Sequence, residues 1–182
     1  WGLIAGYVRR LCWLFSDGEE VGEVGILADP DHLPWAAAKA LLQAQINFIY
    51  VDEAHRQAGP VPVRALVCDP PGAAPRSDLP VIATWTPATL PAQVEAAIGR
   101  EVRWDGSPDL RVRPYRKDGR DLYLLVNEGE APVAGTLSLR RAGSVACWDA
   151  LTGAVRPWPG ALVAGRLQTR ITLDRRASLV LT

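Results

Sequence analysis

Residues 119–153 read GRDLYLLVNEGEAPVAGTLSLRRAGSVACWDALTG. Three apolar runs stand here between pieces of turn chemistry. Asp118-Gly119 closes one hairpin, Glu128-Gly129 and Pro132 punctuate the next connection, and Thr152-Gly153 turns a third. The same rhythm continues on both sides, with strands predicted over 110–115, 122–127, 135–140, 144–148, 154–157, 161–164, 167–173 and 178–181. About eight short strands in roughly 75 residues predict two packed antiparallel sheets, a β-sandwich. In 167–173, Leu167, Thr169, Ile171 and Leu173 alternate with Gln168, Arg170 and Thr172, so one face is expected to be buried and the other wet.

Upstream the pattern is different. Leu3, Ile4, Tyr7, Val8, Leu11, Leu14 and Phe15 recur at helical spacing and predict an amphipathic helix stopped at Gly18. Its apolar face is expected to pack on the following sheet or on a preceding domain. A strand over 21–28, a helix from Pro34 to Ala44 and a strand over 46–51 make one βαβ unit. Further strands over 63–68 and 81–84 are apolar throughout, as strands covered by helices on both faces should be. A helix over 91–98 follows, and 102–104 is expected to form the last edge strand. The whole predicts a small, flavodoxin-like (glutamine-amidotransferase-like) three-layer α/β domain over 1–105 and a sandwich over 106–182, hinged at 104–109. The connections 52–62 and 69–80 are short and rich in Pro and Gly, so neither can hold the full helix that normally crosses between parallel strands.

The strand ending in Tyr123-x-x-x-Asn127, followed by Trp148-Asp149-x-x-Thr152-Gly153, resembles the C-terminal β-sandwich of large multi-domain glycoside hydrolases of the α-L-rhamnosidase-like family. The likeness extends more weakly over 1–100, where such enzymes carry a Tyr-x-x-Arg helix between a catalytic barrel and an α/β domain. It implies an accessory, non-catalytic C-terminal region. The catalytic domain would lie N-terminal in the same polypeptide, and the start at Trp1 suits a piece of something longer. No catalytic residue is carried over by this resemblance.

Composition narrows the classes. Of 182 residues, 48% are apolar and 22% charged, as in a folded globular protein. Twenty basic residues balance twenty acidic ones, which gives no field to gather nucleic acid or an anionic membrane. No apolar run approaches the roughly 20 residues of a membrane span. Cys12, Cys68 and Cys147 are far apart in apolar runs, and are expected to be buried, free and neither zinc ligands nor disulfide partners. No cofactor-binding fingerprint is present.

Four residues are the ligand-binding candidates. Asp29 and Asp52 follow α/β strands, with Asp31, His32, Glu53, His55 and Asp69 nearby in sequence, and open α/β sheets bind ligands in the crevice at those strand ends. The plainer reading is that loops after strands are ordinarily polar and that Asp29 and Asp31 cap the next helix. Trp148 and Trp158 are candidate sugar-stacking rings, Trp158 in an exposed turn between Pro157 and Pro159, whereas Trp148 is read first as a core ring or one packed on a neighbouring domain. Cys68 is placed as an amidotransferase nucleophile would be, but Asp69-Pro70-Pro71-Gly72 cannot start the helix that such a thiolate needs. Three functions follow: an accessory region that supports a catalytic barrel or homo-oligomerisation, a carbohydrate-binding module, and a small-ligand or amidotransferase-like site at the acidic crevice.

Overall fold

In the computed structural model, residues 1–28, 31, 34–52, 54, 56, 59–72 and 74–182 are described. Along the chain they form α1 (Gly2–Phe15), β1 (Glu19–Glu20), β2 (Val24–Leu27), α2 (Trp35–Gln43), β3 (Phe48–Val51), β4 (Ala65–Cys68), β5 (Val81–Ile82), α3 (Leu90–Ile98), β6 (Val102–Trp104), β7 (Leu110–Lys117), β8 (Arg120–Asn127), β9 (Val133–Leu139), β10 (Val145–Trp148), β11 (Val155–Trp158), β12 (Ala161–Val163), β13 (Arg166–Leu173) and β14 (Ser178–Leu181). None of these helices is long and apolar enough to cross a membrane. Two units result, one of residues 1–21 with 102–182 and one of residues 22–101.

The larger unit is built of antiparallel sheets. Six strands order as β1-β7-β8-β14-β10-β11 and four as β12-β13-β9-β6. Alternation sends Leu110, Val112, Tyr123, Leu125, Cys147 and Leu181 of the first sheet and Leu137, Leu139, Leu167 and Ile171 of the second into one core. Along β13 the buried residues are Leu167, Thr169, Ile171 and Leu173, as the period-2 pattern predicts. Asp118 and Gly119 both adopt positive φ (50° and 72°), which is what a two-residue turn between β7 and β8 requires.

Among the motif residues, Asn127 works from inside the sandwich, while Asp149, Thr152 and Gly153 shape a turn at its surface. Asn127 is fully buried; its Nδ2 donates to the carbonyls of Ala131 (2.8 Å) and Asp174 (2.9 Å), and its Oδ1 accepts the Gly129 N–H at 2.9 Å. One side chain thereby fastens two turns. Asp149 Oδ1 accepts the N–H groups of Leu151 and Thr152, and the Thr152 hydroxyl donates to Asp149 Oδ2 at 2.7 Å. These bonds hold the Asp149 carboxyl below the usual range, the Thr152 hydroxyl most of all. Gly153, at φ 81°, completes the turn.

Two expectations, on the strand at 102–104 and on the burial of Cys12, need correction. The strand at 102–104 is not an edge of the α/β domain, because Val102–Trp104 pairs antiparallel with β9. Helix α1 packs on the outer face of the six-stranded sheet, with Leu14 buried against Leu122 and Val180. Of its apolar stripe Leu14 is buried, Tyr7, Leu11 and Phe15 are half-buried and Leu3, Ile4 and Val8 are exposed, so the pattern marks a face and is silent about what covers it. Cys12 is exposed on α1, off that stripe, and not buried as expected, whereas Cys68 and Cys147 are buried, and none of the three forms a disulfide.

The smaller unit carries a parallel sheet in the order β3-β2-β4-β5. Its core joins Val24, Ile26 and Val67 to Ala37 and Leu41 of α2 and Leu90 and Val94 of α3. The strands pair in parallel despite the short connections, with β2 between β3 and β4. Gly25 lies where a Cβ would come within 2.9 Å of Leu66 and Val51 side-chain carbons, so the strands close over a residue without a side chain.

Candidate functional site

The six-stranded sheet shows its inner face to the sandwich core and its outer face partly to α1. Cross-strand register decides which residues share the outer face. Lys117 lies opposite Arg120, and Trp148 opposite Val155. Beside α1 these side chains line an open cleft of about 500 Å³, with Leu14 and Leu122 at its floor and Trp13 and Trp148 on its walls. A second depression of about 440 Å³, lined by Ser144, Ala146 and Pro157, shares Val155 and Thr182 with the first. Together they form one trough along the sheet.

The Trp13 and Trp148 rings are 5.5 Å apart, tilted at 52°. Trp13 is 54% exposed, so much of its ring is open to a ligand. Lys117 reaches across the cleft: its Nζ donates to the carbonyls of Trp13 and Ser16 at 2.5 Å each and sits 4.8 Å from the centre of the Trp13 ring. A cation at the carboxyl end of α1 satisfies carbonyls that the helix leaves open. Arg120, in contrast, is exposed, and its side chain makes no hydrogen bond or ion pair among the described residues. Arg10 anchors the other side of α1, donating to the carbonyls of Ala150 (2.7 Å) and Leu151 in the Asp149 turn.

Of the residues singled out from the sequence, Trp148 is half-buried and lines the trough. Trp158 is on the opposite face. The exposed turn expected there is instead strand β11, and its ring packs on the sandwich core, with Nε1 donating to Thr169 Oγ1 at 2.8 Å. An edge strand tolerates Pro157, which is why flanking prolines misled. The structure therefore does not bring the two rings together.

In the smaller unit, Asp29, His32, Glu53 and His55 lie outside the described residues. Asp52 is half-buried after β3, where its carbonyl accepts the Arg56 N–H, and Asp31 is exposed. Asp69 Oδ2 accepts the Ala37 N–H at 3.1 Å in the first turn of α2, a helix that precedes it in the chain, so this carboxylate is taken up by a backbone contact. Cys68 is 6% exposed and burial pushes its thiol pKa up, the opposite of what a nucleophile needs.

Trp13, Lys117 and Arg120 were not singled out by the sequence. Trp13 lies off the apolar stripe of α1, where helical spacing assigns it to the wet side and hides its contact with Trp148. For Lys117 and Arg120 the hairpin register was needed.

No family model and no curated protein sequence matches the chain. Solved structures do match. A rhamnosidase from Novosphingobium sp. PP1Y aligns over 98% of this chain and 24% of its own, with a TM-score of 0.67 and 14% identity. An exo-carrageenase GH42 from Bacteroides ovatus aligns over 89% of this chain and 29% of its own, at a TM-score of 0.57 and 13% identity. A β-galactosidase from Bacillus circulans sp. alkalophilus aligns over 96% and 43%, at 0.59 and 9%. The chain spans less than half the length of each. The fold is thus glycoside-hydrolase-related, and the resemblance drawn from the Tyr123–Gly153 motif residues holds at that level.

Proposed function

We propose that the chain is an accessory, non-catalytic C-terminal region of a glycoside hydrolase, supporting a catalytic domain of the same polypeptide or its homo-oligomerisation. The observation that carries this is the alignment: nearly all of this chain matches only a fraction of each hydrolase. The parallel sheet order β3-β2-β4-β5 supports reading the smaller unit as flavodoxin-like. A partner surface is supported by α1, whose apolar stripe is buried at Leu14 but exposed at Leu3 (62%), Ile4 (60%) and Val8 (49%). Stripes of this kind are normally covered in the assembled protein.

The test is to express the reading frame that carries residues 1–182 together with its flanking sequence and assay hydrolysis of aryl glycosides. The expected result is turnover that survives neutralising each carboxylate within residues 1–182 and is lost on neutralising a carboxylate pair outside them. Turnover lost on replacing a carboxylate inside residues 1–182, in a protein that remains folded, overturns the proposal.

A further inference from the structure

We infer that the trough on the outer face of the six-stranded sheet binds a short acidic oligosaccharide, one bearing a carboxylate or a sulfate, with a sugar ring stacked at Trp13 and Trp148. This goes beyond the accessory role, which does not require any ligand.

Three observations carry it. The first is shape. Two adjoining depressions of about 500 and 440 Å³ share Val155 and Thr182, so the trough continues past the room one monosaccharide fills. The second is surface chemistry. Pyranose rings present apolar C–H faces and a rim of hydroxyls. The trough matches this with two indole rings 5.5 Å apart over an apolar floor, and with the Asp118 carboxylate and the Ser144 and Thr182 hydroxyls at its edges.

The third is charge. Lys117 and Arg120 are direct cross-strand partners on the outer face, and like charges so placed repel. Carbonyls of α1 occupy the Lys117 ammonium, but nothing among the described residues occupies the Arg120 guanidinium. An anionic substituent at that end of the trough relieves the repulsion and gives Arg120 a pair of oxyanion oxygens that its guanidinium can bind bidentately.

The 182-residue chain is titrated with a galacturonate trisaccharide, a sulfated galactose trisaccharide and a neutral galactose trisaccharide, followed by tryptophan fluorescence and calorimetry. At least one acidic ligand is expected to saturate, with an affinity that falls as salt is raised, and the neutral one to bind about 10-fold more weakly or not at all. Which acidic ligand binds distinguishes carboxylate from sulfate. Trp13→Ala and Arg120→Gln replace exposed side chains and leave both cores intact. Trp13→Ala should weaken acidic binding about 10-fold, and Arg120→Gln should bring it to the neutral level. Saturable binding by neither acidic ligand, or binding that both variants keep unchanged, overturns the inference. Such a failure leaves the accessory reading untouched, because that reading is decided by where the catalytic carboxylates lie.

Discussion

Replacing Glu23 with glutamine should stabilise the smaller unit at alkaline pH and hardly change it at acid pH. Glu23 is 1% exposed at the start of β2. Its Oε1 accepts the Glu101 N–H at 2.6 Å and lies 3.7 Å from Arg64 Nη1, while its Oε2 has no hydrogen-bond partner among the described residues. Burial raises its pKa from 4.5 to about 7; the Glu101 N–H works in the opposite direction, the Glu101 carboxylate adds to the rise, and Arg64 and Arg100 oppose it. In the unfolded chain the group titrates near 4.5, so between about pH 4.5 and pH 7 the native state holds a proton that the unfolded state has released. Stability from this group is therefore greatest in acid and is lost as pH rises through that window. At about 1.36 kcal/mol per pH unit the full loss is about 3 kcal/mol.

Urea unfolding of the wild type and Glu23→Gln at about pH 5 and about pH 8 isolates this carboxylate from the others, which titrate alike in both proteins. The variant should gain about 2–3 kcal/mol at the higher pH and less than about 1 kcal/mol at the lower. Glutamine keeps the acceptor for the Glu101 N–H, so the gain comes from the charge alone. Equal effects at both values, or destabilisation at the higher one, would show that Arg64 and the Glu101 N–H outweigh burial, and would refute the reasoning.

Other substitutions probe the sandwich and the sheet. Asn127→Ala removes a side chain that bonds two carbonyls and an N–H in the core, and should cost about 3 kcal/mol in the urea transition of the larger unit. Thr152→Val deletes the hydroxyl that donates to Asp149 and accepts from the Ala154 N–H, at a cost of about 1 kcal/mol. Since the turn depresses the Asp149 carboxyl below its ordinary range, its contribution in the wild type is present above the unfolded-state value and is lost as pH falls through the depressed one; that acid sensitivity should shrink in Thr152→Val. Gly25→Ala places a methyl 2.9 Å from carbons of Leu66 and Val51, and should lower stability of the smaller unit by about 1–3 kcal/mol, read from its melting temperature.

Local patterns in the sequence foretold local structure and left partnership open. The strands from Leu110 to Leu181 follow from alternation and turn residues, because a sheet with one buried face writes period 2 into its sequence. Val102–Trp104 carries the same pattern, yet three residues cannot say whether a parallel or an antiparallel neighbour receives them. The stripe on α1 likewise fixes a face without naming the sheet beneath it. The trough was the least legible feature. Trp148 was marked, but its neighbours Trp13, Lys117 and Arg120 meet it only once α1 lies on the outer face and the hairpin register is set. Trp158 failed for the converse reason: prolines that signal a loop in isolation are compatible with an edge strand.

If residues 1–182 are an accessory region, as proposed, they carry no reaction of their own. The purified chain, its fold verified by circular dichroism, is incubated at high concentration with aryl α-L-rhamnoside, aryl β-D-galactoside and glutamine, and release of phenolate or ammonia is followed for hours. The account predicts no release above buffer from any of the three. Catalytic release that co-purifies with the chain and disappears on replacing Cys68, Asp52 or another of its own side chains would contradict it.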